Sequence, residues 1–127
     1  MPITMHWAGE HILIFDLHAG DWSWSQYDIA VEQAMQIIKP IEHDVAAIVL
    51  AAPSFPEGNA ITHFLRVIKL QPANLTLYIV VGGNTVTRTI NNILMQMYPK
   101  TRIIFAASEA EAYKFATEHG FRPRVEP

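Results

Sequence analysis

The sequence predicts a single α/β domain on a mostly parallel sheet, in the order β-β-α-β-α-β-α-β-α, and three observations predict it. Strand-like apolar runs alternate with stretches whose apolar residues recur at helical spacing. Proline follows three of those helical stretches, in Ile38-Lys39-Pro40, Leu70-Gln71-Pro72 and Met97-Tyr98-Pro99; its fixed ring and missing N–H stop a helix there. The chain of 127 residues is 50% hydrophobic, the length of one domain, and enough to withdraw roughly two-thirds of its unfolded surface from water. Residues 1–127 therefore read as one unit, with a core over about 3–119 and a frayed tail at 121–127.

The first element is a hairpin. Ile3 to Ala8 and His11 to His18 are extended runs, and Gly9-Glu10 between them suits a two-residue type II′ turn. That loop pairs Trp7 with Ile12, Met5 with Ile14 and Ile3 with Asp16. The first helix begins at Ser23, which forms a capping-box pattern with Gln26. Tyr27, Ala30, Val31, Ala34 and Ile38 then make one buried stripe. Of the two tryptophans at this entrance, Trp22 is expected to pack inward and Trp24 to stay partly exposed.

Val45 to Ala52 is apolar on both faces, as a central parallel strand must be. The second helix presents Ile61, Phe64, Leu65 and Ile68. Leu75 to Val81 is a further strand, followed by a helix using Val86, Ile90, Ile93, Leu94 and Met97. Arg102 to Ala107 is the last strand. Ser108 with Glu111 caps a final helix whose Ala112, Tyr113 and Ala116 face inward, and Gly120 closes it.

Parallel crossovers are right-handed, so a strand order that follows the sequence puts the helices predominantly on one face. Val49, Ile79, Val81 and Ile104 are read as pointing one way, and Ile48, Leu50, Val80 and Phe105 the other. An apolar face without helices favours association, so a homodimer is expected.

Composition narrows function mainly by exclusion. A chain without cysteine has no disulfide, thiolate zinc site, iron–sulfur cluster or cysteine nucleophile. Nine Lys and Arg against twelve Asp and Glu give a net charge of −3, which argues against nucleic acid. No apolar run approaches the roughly 18 residues of a membrane helix. Met1-Pro2 opens no signal peptide, so a cytoplasmic address is expected.

Six histidines are present. His18 and Asp16 share a strand face and could serve as base or ligand; the competing reading is two polar residues at a strand end. Zinc needs three or four convergent ligands, and no HxH, HxxxH or HExxH spacing occurs. No metal and no cofactor are expected. Neither G-x-S-x-G nor S-x-x-K is present, so no enzyme activity is expected.

Two loops follow central strands, where open α/β sheets concentrate function. One is Ser54-Phe55-Pro56-Glu57-Gly58-Asn59. The other is Gly82-Gly83-Asn84, with Arg88 one turn into the helix. The second has two readings: an anion cradle at a helix N-terminus, or a tight turn with Asn84 as N-cap. A small-ligand or nucleotide sensor using Gly82, Gly83, Asn84 and Arg88 is the alternative function.

The hairpin followed by helix–strand repeats resembles the STAS-like fold of anti-sigma-factor antagonists, the sporulation anti-anti-sigma type. Gly20-Asp21-Trp22-Ser23-Trp24 and the closing Ser-Glu-Ala-Glu-Ala helix with Ala112 and Tyr113 look like a subgroup of bacterial STAS-like domains. The resemblance implies a non-enzymatic partner-switching module that docks on an anti-sigma-factor-like kinase and is toggled by phosphorylation at the second helix's N-terminus. The family's Asp-Ser-Ser-Gly stretch corresponds here to Pro56-Glu57-Gly58-Asn59, which has no hydroxyl. Ser54 is the nearest acceptor but displaced, and Glu57 stands where the acceptor would be as a fixed negative charge. The partner surface implied is Ser54 to Asn59.

Overall fold

Five strands lie side by side in chain order: β1 (Thr4–Trp7), β2 (Ile12–Asp16), β3 (Val45–Leu50), β4 (Leu75–Val81) and β5 (Ile103–Ala106). β1 runs antiparallel to β2, and every later pairing is parallel. Among the described residues four helices accompany the sheet: α1 (Trp24–Ile38), α2 (Ala60–Leu70), α3 (Thr85–Met97) and α4 (Glu109–Glu118). The computed structural model describes residues 3–83, 85–98 and 102–121, the Val86 side chain excepted.

The sheet order explains where the helices sit. Helices α1, α2 and α3 each connect neighbouring parallel strands in one direction, so right-handed crossovers stack all three on one face. Their side chains meet there: Val31 and Ala34 of α1, Phe64 and Val67 of α2 and Leu94 of α3 line a common apolar space over Leu13 and Tyr78. Helix α4 follows the last strand and crosses to nothing, so no handedness rule binds it. It lies on the opposite face, where Ala112 and Ala116 pack with Ile12, Ile14, Ala46, Ile48, Leu77 and Ile79. The face expected to need an outside cover is thus partly covered by the chain itself.

Local signals place several ends. Ser23 accepts from the Gln26 backbone N–H while the Gln26 side chain accepts from Ser23 N–H, the reciprocal capping box. The α1 stripe of Tyr27, Ala30, Val31, Ala34 and Ile38 is buried. Ser108 caps α4 by accepting from Glu111 N–H, and Gly120 closes it at a φ of +91°.

Other expectations need correction. The β1–β2 register pairs Trp7 with Leu13 and Met5 with Phe15, because the turn holds three residues, Gly9, Glu10 and His11, closed by Ala8 N–H donating to Ile12 O at 2.9 Å. One added turn residue exchanges the faces. Ile3, Met5 and Trp7 therefore join Leu13 and Phe15 under α1 rather than Ile12 and Ile14. The β3–β4 register pairs Ile48 with Ile79 and Val49 with Val80, so Ile48, Leu50, Ile79, Val81 and Ile104 share the α4 face and Val49 lies on the other.

The α2 stripe is Ala60, Phe64 and Val67. Ile61 points outward at 42% exposure, and no α2 residue is fully buried. On α3, Ile90 and Leu94 are buried, but Ile93 and Met97 are exposed. Phe121, placed in the tail by sequence, is buried against the α4 face; residues 122–127 and the Asn84 cap lie outside the described residues.

Candidate functional site

The loop after β3 is held from beneath by aromatic rings. Trp24, the first residue of α1, is buried rather than partly exposed, because α2 and the loop close over it. Its Nε1–H donates to Pro56 O at 3.3 Å. Phe55 meets Trp24 at 5.9 Å and Phe64 at 5.4 Å between ring centroids. Trp22 lies edge-on to Trp24 at 5.2 Å and donates its own Nε1–H to Leu17 O. Edge and offset contacts of this kind are the favoured aromatic geometry.

Gly58 passes close over this cluster. Its φ is +131°, and a Cβ there would stand 3.1 Å from Trp24 Cδ1. Asn59 is the N-cap of α2, its Oδ1 accepting from Thr62 N–H at 3.3 Å. The six residues singled out by sequence therefore divide. Phe55, Pro56 and Asn59 build the loop, whereas the Ser54 and Glu57 side chains are exposed.

Beside the loop, His63 Nδ1–H donates to Asp28 Oδ1 at 2.8 Å. Arg66 pairs with the second Asp28 oxygen at 3.5 Å and with Glu32. A carboxylate-oriented imidazole is the arrangement of a general base. Here Arg66 also engages the carboxylate and Trp24 covers one ring face, so the group works as a strut joining α1 to α2. Tyr27, under the same cluster, has its hydroxyl pushed well above the ordinary tyrosine range, first by burial and then by the nearby Tyr78 and Asp28.

The glycine turn after β4 ties that strand to its neighbour. Gly82 N–H donates to Ala106 O at 3.2 Å, which extends the β4–β5 pairing and leaves that donor spent. Gly83, at a φ of +83°, brings the chain against Thr87 and Ala51. The Arg88 guanidinium lies over the Phe105 ring at 5.3 Å, a cation–π contact. His18 and Asp16 do not form a dyad: Asp16 Oδ1 accepts from His18 backbone N–H at 2.8 Å, closing the end of β2.

At the other end of the sheet, the structure joins residues that spacing kept apart. Glu10, His11 and His43 each bring one ligand-type atom to within 4.8 Å of the others, and the two imidazoles lie 4.2 Å apart between centroids. His11 stands just before β2 and His43 two residues before β3. Only the parallel pairing of those strands makes them neighbours, so no short motif announces them.

No protein-family model, curated protein or solved structure matches this chain. Among the described residues, no helix is long and apolar enough to cross a membrane.

Proposed function

We propose that the chain is a non-enzymatic interaction and regulatory module of the STAS-like type, which docks a protein partner, an anti-sigma-factor-like kinase, through Ser54–Asn59 and the first turn of α2. One observation carries this reading: exposed Ser54 and Glu57 stand on a loop whose Phe55 and Pro56 are tied to Trp24. A loop held in one conformation before binding loses little entropy when a partner arrives. Outward-facing Ile61 offers an apolar anchor next to it, and Glu57 adds a fixed negative charge where the family carries its switchable one.

The test is affinity capture from the native host with the full chain, identification of the bound protein, and titration of that purified protein. Ile61→Asp and Glu57→Lys should each weaken binding at least tenfold with little change in melting temperature. Ile29→Asp, on the exposed side of α1, should bind like wild type. Equal binding by all three variants removes the proposed surface.

Self-association is part of the same proposal. Ile61, Ile93 and Met97 leave apolar surface on the helical layer, and such surface favours a second copy. Light scattering over a concentration series should show mass rising toward a dimer; a constant monomer mass removes this element alone.

A further inference from the structure

We propose that Glu10, His11 and His43 form a binding site for a divalent transition-metal ion of the zinc class, at the end of the sheet opposite the Ser54–Asn59 loop. Two imidazole nitrogens and one carboxylate oxygen are the donor set that zinc accepts. Calcium and magnesium prefer oxygen ligands throughout, which excludes them here. Three protein ligands leave a fourth tetrahedral position for water.

The two histidines are held in position by their backbones. His11 O accepts from Ala46 N–H at 2.8 Å, which fixes the hairpin turn against the start of β3. Ala8 N–H and Ile12 O close that turn around Glu10. On the other side, Asn74 Nδ2 donates to Ile38 O and Ile41 O, each at 2.9 Å, and to His43 O at 3.4 Å. The segment leading to His43 is thereby pinned to the chain just before β4.

The second observation is the orientation of the His43 ring. Nδ1 lies 3.1 Å from Asp44 O. A carbonyl only accepts, so Nδ1 carries the hydrogen and Nε2 presents its lone pair. A backbone carbonyl on the far nitrogen is how metal-binding histidines are commonly fixed in one tautomer. With metal–ligand distances of about 2.0–2.1 Å, tetrahedral donors stand roughly 3.4 Å from one another. The present separations, within 4.8 Å, close to that value by side-chain rotation. The Glu10 side chain is exposed and free to make it, while His43 keeps its bond to Asp44 O.

Such an ion would join the β1–β2 turn to the start of β3, two segments otherwise linked here by backbone hydrogen bonds. The expected behaviour is a clip: metal binds the folded chain and raises its melting temperature with concentration. This inference is independent of the partner-docking reading, since it involves none of the same residues.

The test is titration of the metal-free full chain with Zn²⁺ by calorimetry, with Co²⁺ as a spectroscopic probe of the coordination sphere. One equivalent should bind, with a tetrahedral visible Co²⁺ spectrum and a rise in melting temperature, while Mg²⁺ at the same concentration does nothing. Glu10→Gln should weaken binding at least tenfold and His43→Gln should abolish the Co²⁺ spectrum. His119→Gln, whose ring bonds Phe115 O within α4, should bind like wild type. Both mutated ligands are exposed, and circular dichroism of each variant confirms that it folds. Unchanged Zn²⁺ affinity in His43→Gln, or neither heat nor melting shift at millimolar Zn²⁺, overturns the site.

Discussion

The His63 imidazole lies flat on the Trp24 indole, with ring centroids 4.4 Å apart and planes 3° from parallel. Asp28 holds the imidazole from its edge. One residue at the start of α1 and one in the first turn of α2 are thereby locked face to face, and Phe55 and Phe64 close the sides of the indole. Trp24 is therefore the pin of the Ser54–Asn59 loop. Trp24→Ala should destabilise the fold by about 3–5 kcal/mol, the usual loss for a large buried aromatic, in chemical denaturation. Phe55→Ala removes a contact that Trp24→Ala also removes, so the double variant should lose less than the two single losses added together. Strict additivity would show that the rings do not act as one cluster.

The two glycines after β4 separate backbone strain from steric clash. Gly82 and Gly83 both have positive φ, +76° and +83°. A Cβ at Gly82 meets nothing within 4 Å, whereas one at Gly83 stands 3.2 Å from Thr87 and 3.3 Å from Ala51. Gly82→Ala should cost about 1–2 kcal/mol, the price of a left-handed residue with a side chain. Gly83→Ala should cost that plus the displacement of Thr87, and so melt several degrees lower. Equal melting temperatures would contradict the close approach.

What was legible in the sequence was what neighbouring residues decide. The Ser23–Gln26 capping box, the Tyr27-to-Ile38 stripe and the closing Gly120 each depend on residues a few positions apart, and each stands as read. The order of elements follows from strand-like runs alternating with helical spacing, and the layer of α1, α2 and α3 from crossover handedness. The hairpin register was not legible, because Gly9-Glu10 with or without His11 in the turn is a one-residue choice that exchanges both faces. The burial of Trp24 is not legible locally, because α2, arriving thirty-odd residues later, supplies the rings that cover it. The closeness of His11 and His43 is not legible in spacing, because only the β2–β3 pairing brings them together. Local chemistry writes itself into spacing; contacts between parallel neighbours do not.

Helix α2 packs less tightly than α1. None of its residues is fully buried, and an apolar cavity of about 100 Å³ lies between α1, α2, α3 and the sheet, lined by Val31, Ala34, Phe64, Val67, Tyr78 and Leu94 among others. Lining atoms that face a void lose dispersion contacts. Val67→Leu adds one methylene toward that space and should stabilise by about 0.5–2 kcal/mol, the range of cavity-filling changes. The larger Ala34→Phe should overpack α1 instead and destabilise. Thermal melting of both variants distinguishes a fillable void from a gap that α2 closes by itself. In the latter case Val67→Leu would lower the melting temperature.

Alkaline stability tests the burial of two tyrosines. The Tyr27 and Tyr78 hydroxyls are both pushed well above the ordinary range, in each case chiefly by burial. Tyr78 keeps its hydrogen donating to Gln71 Oε1 at 3.0 Å. An unfolded tyrosine ionises near pH 10. Below that pH both states hold these protons and stability does not depend on them. Above it the unfolded state releases them while the folded state keeps them, so each extra pH unit removes about 1.4 kcal/mol per tyrosine. Unfolding free energy should therefore fall steeply from about pH 10 upward, and the phenolate absorbance of this pair should appear together with the loss of helical circular dichroism. Tyr78→Phe should remove about half of that slope. A phenolate signal from all four tyrosines of the chain while the helices remain intact would show that Tyr27 and Tyr78 reach solvent in the folded protein.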